Sequence, residues 1–218
     1  RVEIDPLFAY LREKRTKVFR DVIRNLADDK YKYILDGWNA FLNSSLQVSS
    51  DASKAGVPIR DLARKKIDRK YRRIVKDGSL ILKDSNDEML HALRIHCKEL
   101  RYLLEFFSSL FPREKVDACT RQLKKLQDML GAFNDFGVQE QYLAEVSREL
   151  RATGRQAEKN LAAIGVLIDA LAGKKQKVKD AFSETFMEFA SLGNQKAFRE
   201  IFASKAGSSV DNKEGETS

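Results

Sequence analysis

The chain has 218 residues and a formal net charge of +8, with 40 Lys and Arg residues against 32 Asp and Glu residues. Its hydrophobic share of 43%, together with 11 Gly and 3 Pro, is typical of a folded globular protein and excludes disorder over most of the chain. No apolar run approaches the roughly 18 residues of a membrane span and no leading segment resembles a signal peptide, so we expect a cytoplasmic protein with no membrane partner.

Apolar residues recur with a helical period along the whole chain, and no alternating β-branched run bounded by turn signals predicts a sheet. The predicted fold class is therefore all-α, with long helices in antiparallel bundles. Asp5 and Pro6 open a first helix that ends near Leu26, and Asp28 and Asp29 open a second. That second helix holds Tyr31, Ile34, Leu35 and Trp38.

A polar stretch between Asn43 and Gly56, NSSLQVSSDASKAG, predicts a linker and hence a division of the chain. This division assigns residues 1–45 to a helical hairpin, 46–57 to the linker and 58–203 to a second helical bundle. Residues 204–218, SKAGSSVDNKEGETS, have almost no apolar content and are expected to be disordered.

Several helices are predicted within the second bundle. One runs from Pro58 to Lys76 and stops at Asp77-Gly78, and the next begins after the capping residues 85–88 and ends before Pro112. The remaining helices are predicted over residues 114–131, 135–152, 155–172, 175–190 and 195–202.

Two positions near the middle of the bundle, and the two cysteines, are interpreted structurally. Gly131 either ends its helix or allows two helices to approach closely, and Asn134 and Asp135 cap the next helix. Cys97 and Cys119 lie within helical patterns, which favours buried thiols in a reducing compartment.

The helix over residues 90–107, LHALRIHCKELRYLLEFF, carries a stripe of one charge sign. Its apolar seam consists of Leu90, Leu93, Cys97, Leu100, Leu104 and Phe107. The stripe, which consists of His91, Arg94, Lys98 and Arg101, follows the same steps one residue later and so lies about 100° round the helix. Like charges at these spacings each cost a few tenths of a kcal/mol on an isolated helix. The stripe therefore indicates an anion site, or else long basic side chains that extend along the edge of a core.

The preceding helix is also basic, and its cations lie on both flanks of a predicted core side. That core side is Ile59, Ala63, Ile67 and Ile74, and the sequence does not determine which flank faces the stripe. Nucleic acid and polyphosphate both fit such a surface. Tyr71 and Tyr102 are the aromatic residues interleaved with the cations, which is little for base stacking and makes single-stranded nucleic acid the weaker choice.

Two motifs in this region resemble the CHAD family, the conserved-histidine α-helical domain. The first is H-x-x-R-I-x-x-K-x-x-R-Y at His91, Arg94, Ile95, Lys98, Arg101 and Tyr102. The second is L-Q-x-x-L-G-x-x-N-D at Leu126, Gln127, Leu130, Gly131, Asn134 and Asp135. The resemblance covers roughly residues 2–189 and implies two pseudo-symmetric helical bundles around a basic channel. It also implies binding of inorganic polyphosphate and, as for some members, a location at polyphosphate granules.

The resemblance and the charge pattern together give a set of predicted polyphosphate-binding residues: His91, Arg94, Lys98, Arg101, Tyr102, Arg60, Arg64, Lys65, Lys66, Arg69, Lys70, Arg72, Arg73, Lys124 and Lys125. The chain departs from the family in two respects. Glu99 stands where many relatives carry a cation, and only the second copy of the repeated motif is present. The chain thus resembles the C-terminal part of a domain, and a complete channel is expected to need the missing first half or a second chain.

Catalysis is not predicted, because the sequence lacks a Gly-rich phosphate loop, a nucleophile motif and clustered acids that would hold Mg²⁺. Glu88 and His91 are spaced like half of a di-metal motif, but no second Glu-x-x-His occurs, so no metal or cofactor is predicted. The predicted function is non-catalytic binding of polyphosphate, and of other polyanions, in a basic groove. The alternative is a helical module that binds nucleic acid or an acidic protein partner.

Overall fold

The computed structural model describes residues 4–44, 56–83, 86–152 and 157–203, and the regular structure in them is helical throughout. This confirms the all-α prediction. No helix in these ranges is long and apolar enough to cross a membrane. The predicted disordered segment 204–218 lies outside the described residues, as does the predicted linker except for its last two positions.

The helices fall in this order along the described chain: α1 (Asp5–Leu26), α2 (Asp29–Asn43), α3 (Ile59–Ile81), α4 (Asp87–Phe106), a 3₁₀ turn at Ser108–Leu110, α5 (Arg113–Arg151), α6 (Ala157–Asp180), α7 (Phe182–Phe189) and α8 (Leu192–Phe202). The predicted starts of α1 and α2 are confirmed. The Asp28 side chain accepts a hydrogen bond from the Lys30 backbone N–H at 2.8 Å and so caps α2.

The prediction that α3 stops at Asp77-Gly78 is wrong, because α3 continues to Ile81. Gly78 is buried, and a methyl group there would overlap the ring of Phe186 in α7. The glycine therefore allows a close approach between helices and does not end one. Asp77 accepts a hydrogen bond from Arg73 Nε at 2.7 Å, so its carboxylate is paired along α3.

The predicted break between residues 131 and 135 is also wrong, since α5 is one helix of 39 residues. Asn134 does not cap a helix, because its Oδ1 lies 2.9 Å from His91 Nδ1. No atom of the described residues lies within 4 Å of the place that a Cβ would take at Gly131, so this glycine neither ends a helix nor mediates a close contact. Packing on both sides of position 131 outweighs the modest cost of glycine in a helix interior.

The next predicted break, between residues 172 and 175, lies inside α6, which continues to Asp180. The observed boundary is at Ala181, where α7 begins with the buried Phe182. Gly173 is exposed and has no described neighbour within 4 Å of the place that a Cβ would take, so it acts as an ordinary helical residue.

The chain divides into two compact units. The first comprises residues 1–56 and 136–175 and has a small core of Leu7, Leu143, Val146, Leu150, Ala163 and Ile164. In it the Tyr10 hydroxyl donates to Glu149 at 3.0 Å, and Lys14 pairs with the same carboxylate. The sequence-based division assigned 136–175 to the second bundle, whereas the structure groups this segment with α1, because the second half of α5 contributes to α1's core.

The second unit comprises residues 57–135 and 176–218 and holds the larger core. The α4 seam is buried as predicted at Leu90, Leu93, Cys97, Leu100 and Leu104, each at most 1% exposed, while Phe107, just beyond the end of the helix, is half-buried. On α3, the predicted core residues Ala63, Ile67 and Ile74 are fully buried, while Ile59 is 54% exposed. Burying such side chains stabilises the fold by roughly 1.5–3 kcal/mol each, so the seam fixes the rotation of α4.

Both cysteines belong to this core. Cys97 and Cys119 are free and buried, as expected. Burial raises the pKa of the Cys97 thiol well above its usual value and that of Cys119 to about 11. The thiols are therefore protonated and inert near neutral pH.

Tyr71 is a core residue rather than an exposed aromatic available for base stacking. It is 4% exposed, and its ring stacks on Phe198 with a centroid separation of 3.9 Å. Its hydroxyl has no hydrogen-bond partner among the described residues. Burial raises the pKa of Tyr71 to about 12, from an ordinary value of 10.0.

We expect this shifted pKa to make the folding stability fall at high pH. A tyrosine whose pKa is raised on folding does not change the free energy of unfolding below pH 10, and it lowers that free energy as the pH rises from 10 through about 12. Over that range, ionisation of Tyr71 lowers the free energy of unfolding by at most about 1.4 kcal/mol per pH unit. Urea midpoints of wild type and Tyr71→Phe between pH 8 and 11 check this, since the phenylalanine variant should show the shallower decline. Parallel declines would contradict it.

Candidate functional site

A groove of ≈ 310 Å³ lies between α4 and the first part of α5. Its lining residues are Arg94, Lys98, Arg101 and Glu105 from α4 and Thr120, Lys124, Gln127, Asp128 and Gly131 from α5. Four predicted binding residues thus come together in one place, three from the stripe and Lys124 from the facing helix.

The position of the stripe follows from how α4 is built. Asn86 caps the helix by accepting a hydrogen bond from the Met89 backbone N–H at 2.7 Å. The apolar seam then points into the core, so the residues one position later lie at its edge, beside α5. Arg94, Lys98 and Arg101 are accordingly half-buried, with apolar stems against the helices and charged ends at the groove.

The groove carries an excess of positive charge. Arg94 and Lys98 form no ion pair with a carboxylate in the described part of the chain. Arg101 Nε lies 3.7 Å from Glu105 Oε1, which is too long for a hydrogen bond, and this buried nitrogen lacks a described partner. Lys124 is held closely by a carboxylate, at 2.9 Å from Asp128 Oδ2. Exposed pairs of this kind contribute little, so a polyvalent anion can replace them.

His91 and Asn134 connect the two helices one turn from the groove. The 2.9 Å contact joins His91 Nδ1 to Asn134 Oδ1, so Nδ1 donates and Nε2 remains free for a ligand. The sequence predicted His91 as a binding residue but not its partner Asn134 on α5, and it left Gln127, which lines the groove, unassigned. The available signal was that these two residues belong to the second motif and His91 to the first.

Tyr102 lies between the groove and a second basic surface. Its ring centroid is 5.3 Å from Arg101 Cζ and 6.0 Å from Lys98 Nζ. On its other side a depression of ≈ 520 Å³ is lined by Lys66, Arg69, Lys70, Glu99, Tyr102, Leu103, Phe106 and Phe107. Tyr102 thus contacts cations of the groove and forms part of this second surface.

The flank of α3 that faces α4 is the one that carries Lys66, Lys70 and Arg73. Lys70 pairs with Glu99 of α4, and His96 Nδ1 lies 3.0 Å from Asp77 Oδ2. Glu99 therefore points away from the groove and toward α3, where it neutralises Lys70.

A model of the CHAD domain matches residues 2–144, about two thirds of the chain. The chain belongs to the CHAD family. No curated protein matches it. The two CHAD motifs, on α4 and α5, are the segments that line the groove or lie beside it.

The remaining predicted residues of this CHAD chain lie outside the groove. Arg64 is 3.8 Å from Asp61, Arg72 is 2.9 Å from Asp68, and Lys125 pairs with Glu188 of α7. Arg60 lies 5.9 Å from the ring centroid of Phe111, and Lys65 is exposed on α3. Among the described residues, no three His, Cys, Asp or Glu side chains lie close enough to hold a metal ion.

Proposed function

We propose that this CHAD chain binds inorganic polyphosphate in the groove between α4 and α5, without chemical conversion. The observation that carries the proposal is the convergence of Arg94, Lys98 and Arg101 with Lys124, where the first two have no described carboxylate partner. A surface that served only solubility would mix charge signs along such a stripe.

The chemistry of the side chains supports an anionic chain as ligand. Guanidinium groups bind phosphate oxygens through two parallel N–H donors, and lysine adds a point charge. From His91 to Arg101 the stripe extends about 15 Å along α4, given a rise of 1.5 Å per residue. An array of this length fits several consecutive phosphates better than one, and its half-buried walls reduce screening by salt.

Binding without hydrolysis is part of the proposal. Phosphoryl transfer needs acids that position a metal ion or activate water, and the groove offers Glu105 and Asp128 on different helices, of which Asp128 is paired with Lys124. We further propose that the protein is cytoplasmic and is recruited to polyphosphate granules by this binding.

Salt dependence of the affinity tests the electrostatic mechanism. If about six phosphates are neutralised, the affinity for long-chain polyphosphate should fall roughly 300-fold between 50 and 200 mM salt, by analogy with a single nucleic-acid strand. Fluorescence anisotropy with end-labelled polyphosphate measures it. An affinity independent of salt would refute the proposal.

Two further assays separate the alternatives. Long-chain polyphosphate should displace an equal phosphate load of single-stranded DNA, because no aromatic residue is among the described residues that line the groove, and bases therefore have no ring there on which to stack. Preferential retention of the DNA would favour a nucleic-acid-binding module. Release of orthophosphate in the presence of Mg²⁺ or Mn²⁺ would show that the protein is an enzyme.

A further inference from the structure

A second pocket of ≈ 510 Å³ lies between α3 and α8 and is distinct from the α4/α5 groove. Its lining residues are Asp68, Tyr71, Arg72, Val75, Lys76 and Ser79 from α3 and Gln195 and Arg199 from α8. None of them lines the groove. The volume falls within the range of about 300–1,000 Å³ that is usual for small-molecule sites.

The cations of this pocket come from two helices. Asp68 fixes the Arg72 guanidinium through two contacts, Nε to Oδ1 at 3.1 Å and Nη2 to Oδ2 at 2.9 Å, which leaves its other N–H groups available. Lys76 lies one turn further along α3, and Arg199 extends from α8. Neither Lys76 nor Arg199 pairs with a carboxylate in the described ranges, so the pocket keeps two uncompensated positive charges.

Tyr71 lines the pocket and carries a buried hydroxyl group that is an unused donor. Buried tyrosine hydroxyl groups nearly always find a hydrogen-bond partner, but this one has none among the described residues. Burial raises the Tyr71 pKa, Cys119 acts in the same direction, and the positive charge of Arg199 acts in the opposite direction. The hydroxyl is therefore a protonated donor near a cation.

The other polar groups of the pocket are already engaged. Ser79 Oγ donates to the Val75 carbonyl at 2.8 Å, and Gln195 Nε2 donates to the Ala190 carbonyl at 2.8 Å. The groups left for a ligand are thus donors and cations: the Tyr71 hydroxyl, Arg72, Lys76 and Arg199. Such a set selects an anion rich in acceptor oxygens.

We propose that the α3/α8 pocket binds a small phosphoanhydride of two or three phosphates, with Lys76, Arg72 and Arg199 on its oxygens and the Tyr71 hydroxyl as a neutral donor. Two linked phosphates offer more acceptor oxygens than one orthophosphate to cations that come from both helices. The ligand is either free pyrophosphate or the end of a polyphosphate chain, since both present the same group. The site does not depend on the proposed function of the groove.

Calorimetric titration of the full chain with inorganic pyrophosphate tests the site. Lys76→Gln/Arg199→Gln should weaken pyrophosphate binding at least about tenfold, because two charge-assisted contacts are lost. The matched control, Lys115→Gln/Arg121→Gln, removes the same charge from exposed positions outside the pocket and should bind as wild type does. Tyr71→Phe should weaken binding about threefold while leaving the urea midpoint at pH 8 unchanged or higher, an outcome that a purely structural hydroxyl would not give.

The groove variant Lys98→Gln/Lys124→Gln distinguishes the two sites. If pyrophosphate binding is lost in this variant and kept in Lys76→Gln/Arg199→Gln, pyrophosphate binds in the groove and the pocket proposal is wrong. Absence of binding to the wild type overturns it as well. Competition between pyrophosphate and long-chain polyphosphate identifies the source, because a chain end should displace pyrophosphate from the pocket even when the groove is mutated.

Discussion

Replacing Lys98 and Lys124 together by glutamine is expected to weaken polyphosphate binding roughly 100-fold at low salt, because each lost charge-assisted contact contributes about 1.5 kcal/mol. Lys98 has no described carboxylate partner, and Lys124 faces it across the groove. Glutamine keeps much of the apolar stem and removes the charge, so the fold should persist. Anisotropy titrations measure the affinity, and circular dichroism verifies the helical content.

The matched control is Lys115→Gln/Lys196→Gln, which also replaces two lysines and so changes the net charge equally. Both lysines are exposed. Lys115 lies on α5 nine residues before Lys124, which places it on the opposite side of that helix. The control should lose at most about twofold in affinity at 0.15 M salt, where separated charges are screened. Equal losses in both variants would mean that net charge alone matters and that the groove is not the site.

A charge-preserving variant makes the test stricter. Lys98→Arg/Lys124→Arg retains both positive charges and adds bidentate donors, so it should bind polyphosphate at least as well as the wild type. A loss comparable to that of the glutamine variant would show that packing at these positions, rather than charge, governs binding.

The stripe on α4 could be predicted from the sequence because its position depends on local geometry. Once Leu93, Cys97 and Leu100 point into the core, the helical period fixes where Arg94, Lys98 and Arg101 lie. The facing helix could not be predicted in this way. We expected α3 to provide much of the binding surface, whereas α5 provides the other wall of the groove with Lys124 and Gln127.

Ion pairs between helices explain why the α3 cations were harder to assign. Lys66, Lys70 and Arg73 lie on a basic flank in the sequence, but Lys70 pairs with Glu99 of α4, which lies 29 residues further along the chain. Such a partner is invisible to helical periodicity, since it depends on how two helices pack. Glu99, which departs from the usual family pattern, is accounted for by the same contact.

Helix ends were mispredicted where glycine was taken as a stop signal. Gly78 and Gly131 both occur inside helices, but for different reasons: Gly78 is buried against Phe186, and Gly131 has free space around it. Local propensity cannot distinguish the two, because the cost of glycine in a helix is the same at both positions. The two positions differ in their tertiary packing, and we therefore expect opposite effects when each glycine is replaced by alanine.

Gly78→Ala is therefore expected to destabilise the second unit by about 1–3 kcal/mol, although alanine normally stabilises a helix interior. The added methyl group would overlap the Phe186 ring, which is 1% exposed and has little freedom to move. Gly131→Ala is the matched control, because its Cβ meets nothing within 4 Å, and it should stabilise by about 0.5–1 kcal/mol. Urea denaturation followed by circular dichroism measures both changes.

A double variant identifies the cause of the Gly78→Ala loss. Phe186→Leu alone should destabilise the unit, since it removes ring atoms from a packed core that also includes the stacked Phe182. In Gly78→Ala/Phe186→Leu the smaller side chain leaves room for the methyl group. The double variant should therefore lose less free energy of unfolding than the two single variants lose together, by about 1 kcal/mol or more. Strict additivity would mean that the methyl group is accommodated elsewhere and that α3 and α7 are not held at their separation by this contact.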